Sequence, residues 1–213
     1  MPVPDNHTLI PITKSGLEML EMFYGKKFTV SNKKNLRGLH LHLRHSNDIH
    51  NCDTGGLFPV NYIIGDTLFN TSIDKLVNTV YNNNKNRFQF SISNNELYIR
   101  ANQGHSGAIL EKIIPEHIYE IYTADDNIFH RTTEDISNII FSSNNDINGL
   151  RIIGRLIHMA NSEDLARSMD HYPVKIMINV KKARRLGITV YRSSNNVFLS
   201  YANIPLSCLY LGA

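Results

Sequence analysis

The stretch RFQFSISNNELYIRA (87–101) constrains its surroundings more than any other part of the chain. Polar and apolar residues alternate on both sides of an Asn-Asn pair. A period of two broken by turn residues predicts a β-hairpin, with strands Arg87–Ile92 and Leu97–Ala101 joined through Ser93-Asn94-Asn95-Glu96. Upstream the spacing is helical. Ser15 to Tyr24 is predicted as a short amphipathic helix with Ser15 as N-cap and Leu17, Leu20 and Met22 inward. Leu36, Leu39, Leu41 and Leu43 open a second helix. TSIDKLVNTVY (71–81) forms a third, capped by Thr71 or Ser72, with Asp74 in the first turn where the helix dipole favours it. GGLFPV (55–60) reads as a turn plus a short strand, and residues 1–13 as an irregular arm. Helix, helix and hairpin in this order predict a winged-helix module.

Beyond Gly107 the texture changes. HIYEIY (117–122), NIFHRT (127–132), RLIHMA (155–160), VKIMINV (174–180), TVYRS (189–193) and VFLSYA (197–202) are rich in β-branched and aromatic residues and are predicted strands. Helices are predicted at Thr133–Phe141 and Ser162–Met169. Asparagine clusters at 82–86, 94–95, 144–145 and 195–196 fall between these segments and read as turns. Short, mostly antiparallel strands with few helices predict an α+β lobe. The expected division is therefore an extension at 1–35, a first lobe at 36–107 and a second at 108–213.

A length of 213 residues with 42% hydrophobic content can bury a sizeable core, and length alone allows one large domain or two small ones. No apolar run approaches the roughly 18–20 residues of a membrane span. The opening MPVPDNHTLIPITKSG lacks a basic region followed by an apolar stretch, so no secretory signal is expected. Two cysteines make neither a disulfide framework nor a CxxC zinc site, which points to a reduced cytoplasmic or nuclear setting. The net charge of +3 decides nothing by itself, because phosphate binding needs basic groups gathered on one face.

Three polar clusters carry candidate chemistry: LHLRHSN (41–47), YIRANQGHSG (98–107) and GRLIHMANS (154–162). Each has a plain structural reading. Arg44 and His45 can complement a helix C-terminus. An arginine at a strand end, such as Arg100, is usually solvated, and His158 between Ile157 and Met159 suits a satisfied core position. Asn102 to His105 can be only a turn. Together they read differently. Arg44, Arg100 and Arg155 are the groups that grip a phosphate dianion, and a histidine donates another bond or moves a proton. No GxGxxG or GxxxxGK[ST] run supports a dinucleotide fold or P-loop, and no HExxH, carboxylate cluster or glycosidase-type pair argues for a metal or for sugar hydrolysis.

The chain resembles the NAD-dependent RNA (tRNA) 2′-phosphotransferase family through LRHS (43–46), IRANQGHS (99–106), VYRSSNNVFLS (190–200) and IPLSCL (204–209). Arg100 to Ser106 is a contiguous match, and the resemblance runs over about residues 36 to 211. It implies an N-terminal winged-helix RNA-binding lobe and a C-terminal NAD-binding lobe of ADP-ribosyltransferase type. It also implies that the catalytic set is Arg44, His45, Arg100 and Arg155, converging on one phosphate. Gln103, His105, Ser106, His130, Thr132 and His158 are then expected at the cofactor. His130-Arg131-Thr132 stands where the family usually has His-Gly-Thr, with His117 as the second-ranked alternative. His158 stands alone where the family tends to have two histidines, and SSNND (142–146) is the expected insertion.

The implied reaction transfers an internal 2′-phosphate, such as that left at a tRNA splice junction, to NAD. It yields 2′-OH RNA, nicotinamide and ADP-ribose 1″,2″-cyclic phosphate, with no metal. The implied partners are NAD and 2′-phosphorylated RNA, for a monomer away from membranes. Arg100→Ala is expected to abolish activity in a folded protein, as for an exposed cation. Lys33, Lys34 and Arg37 are candidate RNA-backbone contacts, ahead of Lys181, Lys182, Arg184 and Arg185, which read first as a solvated face. An ADP-ribosyltransferase that caps phosphorylated RNA or DNA ends remains an alternative reading, as does a non-catalytic RNA-binding module.

Overall fold

The computed structural model describes residues 2–31, 37–66, 69–83, 86–142, 149–151, 156–161 and 172–212, with only the backbone of Arg37. The chain divides into two compact units, Met1–Tyr119 and Glu120–Ala213. The fold class is α+β, and among the described residues every strand pairing is antiparallel.

In the first unit β1 (Thr8–Ile10), β2 (Phe58–Pro59), β3 (Phe88–Ser93) and β4 (Glu96–Ala101) form a sheet ordered β1-β3-β4-β2. The predicted hairpin forms, with Ser93 and Glu96 drawn from the expected loop into the strands and Arg87 left just before the first of them. Phe88 faces Ala101, Ser93 faces Glu96, and Asn94 and Asn95 turn the chain in left-handed conformation, which asparagine tolerates. Residues 1–13 are not an irregular arm throughout: Thr8–Ile10 pairs with Phe90–Ile92 as the edge strand, with Ile10 buried and its carbonyl accepting from Gln89 Nε2.

Around the sheet stand α1 (Lys14–Tyr24), α2 (Arg37–His45), α3 (Val60–Gly65), α4 (Ile73–Tyr81) and α5 (Ala108–Lys112). Thr13 rather than Ser15 caps α1, its Oγ1 accepting from Gly16 N at 3.4 Å, and Met22 points outward at 83% exposure. Ser72 caps α4 as expected. Leu20, Leu39, Leu43, Leu57, Ile63, Leu76, Phe88, Phe90 and Ile99 are buried in this unit. At roughly 1.5–3 kcal/mol for each large apolar side chain removed from water, such burial supplies most of the drive to fold.

The contact division at Tyr119 lies beyond the expected change at 107 for a physical reason. Pro115 starts a single 3-10 turn, Pro115–His117, and Tyr119 is buried with its hydroxyl 3.3 Å from His105 Nδ1. His117 therefore sits in that turn, with its Nδ1 2.7 Å from Thr54 Oγ1, and the strand expected over 117–122 shrinks to β5 (Glu120–Ile121).

The second unit contains β5 through β13. β6 (Asn127–Thr132), β9 (Val174–Asn179) and β13 (Leu209–Leu211) form one sheet, with β9 central. β8 (Ile157–Met159), β10 (Tyr191–Arg192) and β11 (Phe198–Ser200) join β5 in the order β5-β10-β11-β8, and β7 (Gly149–Leu150) pairs with β12 (Ile204–Pro205). Gly149 has no alternative: its φ is 138°, and a Cβ there would lie 2.1 Å from Ile204 O. Ile128, Ile140, Leu150, Ile176, Ile178, Val190, Phe198 and Ile204 lie in its core.

α6 (Glu134–Phe141) is capped by Thr133, and α7 (Val180–Arg185) by Asn179, whose Oδ1 accepts from Lys182 N at 2.8 Å. The helix expected at Ser162–Met169 and most of the expected insertion at 142–146 lie outside the described residues. No helix among the described residues is long and apolar enough to cross a membrane.

Candidate functional site

Helix α2 ends in His42, Arg44 and His45, and the turn leaving β4 is laid against that end. Ser106 N donates to Arg44 O at 2.9 Å, and Ser106 Oγ stands 2.7 Å from His45 Nδ1. Gly104 adopts φ +82°, and a Cβ on it would come within 3.0 Å of Arg44 Cζ. The guanidinium thus lies on the bare backbone of the turn, where a side chain would displace it. Asn102 holds the turn from beneath, its Nδ2 donating to Asn86 O at 2.7 Å and Phe88 O at 3.3 Å.

Arg44 Nε and Nη2 are buried without a hydrogen-bond partner. Burial and then the charge of Arg87 lower the Arg44 pKa, opposed by Tyr119. Among the described residues no carboxylate is paired with Arg44. Buried donors of a cation, aimed at nothing in the protein, are costly unless a ligand takes them. Their chemistry fits an anion with several oxygens.

Arg100 departs from the solvated strand-end arginine that its position suggested. It is 0% exposed, donating from Nη1 to His117 O at 2.9 Å and from Nη2 to Pro2 O at 3.1 Å, with Nε unpartnered. Burial pulls its pKa down to about 10, against the pull of Asp53 and Tyr119. It remains a cation at neutral pH, with each terminal nitrogen donating to a backbone carbonyl and Nε left over.

His105 is likewise interior, at 2% exposure. Burial first, then Arg100, Arg44 and His45, bring its pKa down to about 3. It is a neutral ring whose Nδ1 lies 3.3 Å from the Tyr119 hydroxyl and whose Nε2, like Arg44 Nε and Nη2, is buried without a hydrogen-bond partner. Gln103 and Ser106 are half-buried on the same turn.

In the second unit His130 Nδ1 lies 2.9 Å from His158 O, and burial lowers the His130 pKa. Both histidines line a cavity of about 470 Å³ walled by Ile136, Ile139, Leu150 and Ile157, with Arg151 also on its lining. Alternation along β6 sends Arg131 to the other face, where its Nη1 donates to Tyr172 O at 3.1 Å and Pro173 O at 3.4 Å. Arginine in place of glycine at 131 therefore leaves this cavity open. Thr132 is buried opposite Val174 and does not line it.

Arg155, Lys33 and Lys34 lie outside the described residues, as does the side chain of Arg37. Of the run on α7, Lys181 and Arg184 are paired with Asp125 at 3.1 and 2.6 Å, a structural use that leaves Lys182 and Arg185 exposed. Sequence reasoning missed Arg87, whose charge reaches both Arg44 and His40. Its signal was a basic residue at the mouth of the predicted hairpin, opposite the polar turn. Among the described residues, no group of three His, Cys, Asp or Glu gathers as a metal would require.

This is an α+β protein with an anion-suited arginine–histidine turn in one unit and a histidine-lined apolar cavity in the other. Residues 31–202 match the family described as RNA 2′-phosphotransferase, Tpt1 / KptA family, and the chain belongs to that family. A similar protein, the "Probable RNA 2′-phosphotransferase" of Acaryochloris marina, is 32% identical over 125 residues, or 57% of this chain. The match covers 62% of that relative's length.

Proposed function

We propose that the protein transfers a 2′-phosphate from RNA to NAD, the first unit serving as a winged-helix lobe for RNA and the second as an ADP-ribosyltransferase-like lobe for NAD. The unpartnered, buried donors of Arg44 over Gly104 carry this reading, because they call for a dianion and the matched family handles one. Arg44 and His45 hold the 2′-phosphate, Ser106 fixes the His45 ring, and Arg100 contributes positive potential from below. His105 and Asn102 keep the turn in shape. The cavity lined by His130 and His158 has the size and apolar character that a flat heteroaromatic ring needs, which suits one end of the dinucleotide. Its Ile136, Ile139 and Leu150 walls would hold that ring, and Arg151 suits a neighbouring phosphate.

In the first step the phosphate oxygen attacks the ribose anomeric carbon and nicotinamide leaves. In the second the ribose 2″-hydroxyl attacks phosphorus and the RNA 2′-oxygen leaves with a proton, giving the cyclic phosphate. Holding two reactants in line can lower such a barrier by about 7–11 kcal/mol. Charge builds on phosphorus oxygens in the second step, where fixed cationic donors act most strongly. Arg155 is assigned there on the resemblance alone. The same reading carries a monomer in the cytoplasm or nucleus, where Cys52 and Cys208, both buried and unpaired, stay reduced.

The test is incubation with an internally 2′-phosphorylated oligoribonucleotide, with and without NAD, and separation of the products. NAD-dependent appearance of 2′-OH RNA and ADP-ribose cyclic phosphate supports the proposal. ADP-ribosylated RNA as the end product supports capping instead, and RNA binding with no NAD-dependent product supports the non-catalytic module.

A further inference from the structure

Arg87 stands at the open end of the hairpin, directly before β3. Its carbonyl accepts from Asn102 N at 2.9 Å, and Asn102 Nδ2 also holds the carbonyls on either side, at Asn86 and Phe88. The backbone that presents Arg87 is therefore tied to the turn on which Arg44 rests. Helix α2 approaches the same end. His40 lies one turn before Arg44, and its ring centroid is 5.9 Å from that of Phe88, the residue after Arg87.

The Arg44 guanidinium and the His45 imidazole thus meet the turn to which the Arg87 backbone is tied, and His40 approaches the same end from α2. The charge of Arg87 lowers the pKa of both Arg44 and His40, after the larger effect of burial for Arg44 and of burial and Arg44 for His40. Among the described residues neither arginine is paired with a carboxylate. Like charges held together without a counter-charge cost stability, and the arrangement suits a ligand that brings two anionic groups side by side.

An internal ribose 2′-phosphate is such a ligand, because the adjacent 3′-oxygen carries the chain's own phosphodiester. A 2′-phosphate on a 3′-terminal ribose with a free 3′-hydroxyl brings only one. We propose that Arg87 contacts the 3′-phosphodiester vicinal to the 2′-phosphate held by Arg44, and so selects internal over terminal 2′-phosphates. This rests on the phosphotransferase reading for the role of Arg44 and adds a specificity residue to it.

Equilibrium binding without NAD tests the assignment independently of turnover. Two oligoribonucleotides of the same length and base composition are compared, one with an internal 2′-phosphate and one ending in a 2′-phosphate and 3′-hydroxyl. The wild-type protein is expected to prefer the internal form about tenfold. Arg87→Ala should remove most of that preference and reduce the slope of log K against log salt by about 0.7, the value for one single-strand phosphate contact. Arg87→Lys, which keeps the charge without the planar fork, should restore part of it. Unfolding midpoints of both variants establish that they remain folded. An unchanged internal-to-terminal ratio in folded Arg87→Ala, or a wild-type protein with no preference, overturns the assignment. Absence of any NAD-dependent product in the turnover assay instead overturns the phosphotransferase reading and leaves the binding result to stand alone.

Discussion

His45 Nδ1 and Ser106 Oγ lie 2.7 Å apart, joining the end of α2 to the turn that follows β4. This contact, with Ser106 N on Arg44 O, fixes the Nδ1 edge of the imidazole against the turn. A net hydrogen bond is worth about 0.5–1.5 kcal/mol. Ser106→Ala is expected to lower kcat about threefold to tenfold while costing no more than about 1 kcal/mol of stability, the bond being exposed. Steady-state kinetics alongside thermal melts check this, and full turnover in the variant would show that the His45 ring needs no such anchor.

Gly104→Ala should be harmful twice over. The left-handed φ of +82° costs an alanine about 1–2 kcal/mol, and its Cβ would press on Arg44 at 3.0 Å. The variant should lose that stability in urea unfolding and also lose affinity for a 2′-phosphorylated oligonucleotide. Lowered stability with intact affinity would mean that Arg44 tolerates displacement from the turn.

Arg100→Ala is not the fold-neutral variant expected of an exposed cation. It would take the donors from the carbonyls of Pro2 and His117 and leave a cavity where a fully buried side chain stood. A loss of about 3 kcal/mol or more is expected. Arg100→Lys keeps the charge but not the fork and should fall between it and the wild type. Chemical unfolding of the three proteins gives the order.

His105 makes stability depend on pH in a definite direction. Its folded pKa of about 3 lies below the ordinary 6.5, so between those values the unfolded chain takes up a proton that the folded chain excludes. Stability is whole above pH 6.5 and falls as pH drops toward 3, by up to about 1.4 kcal/mol per pH unit for one such group. His7, His40, His42 and His130 are shifted in the same direction. His105→Asn should show a shallower fall between pH 7.5 and 5.5 in urea unfolding, and an equal slope would assign the dependence to the other histidines.

Ile139 lines the second unit's cavity while remaining 58% exposed. Ile139→Glu is therefore expected to preserve the fold but weaken NAD binding about tenfold, through loss of an apolar wall and repulsion of the pyrophosphate. Calorimetry with NAD reads this directly. An unchanged affinity would place the dinucleotide elsewhere.

Features encoded by local pattern were legible in the sequence. The hairpin followed from alternation around Asn94-Asn95, and α6 from Thr133 ahead of two acidic residues. The Asn102–Ser106 turn stood out because its polar density exceeds what a turn requires, and the Arg44–His45 pair because those groups suit a phosphate dianion. Their apposition was not legible, because it depends on α2 meeting β4 across some sixty residues. The burial of Arg100 was hidden for a similar reason: its partners are the carbonyls of Pro2 and His117, and a backbone carbonyl carries no residue-specific signal. A hint was present in β3, where Gln89 and Ser91 are buried along with Phe88 and Phe90, as expected of a strand covered on both faces. The cavity beside His130 arises from α6, β7 and β8 closing around it, and no spacing in the sequence announces such an enclosure.

The central claim is that Arg44, seated on Gly104 beside His45, receives a phosphate dianion. The most direct measurement compares binding of two otherwise identical oligoribonucleotides, one with an internal 2′-phosphate and one with a 2′-hydroxyl, by the wild-type protein and by Arg44→Gln. The wild type should favour the phosphorylated strand at least about tenfold, and that preference should vanish in a folded Arg44→Gln. Equal affinity of the wild type for both strands, or a preference that survives the substitution, would contradict it.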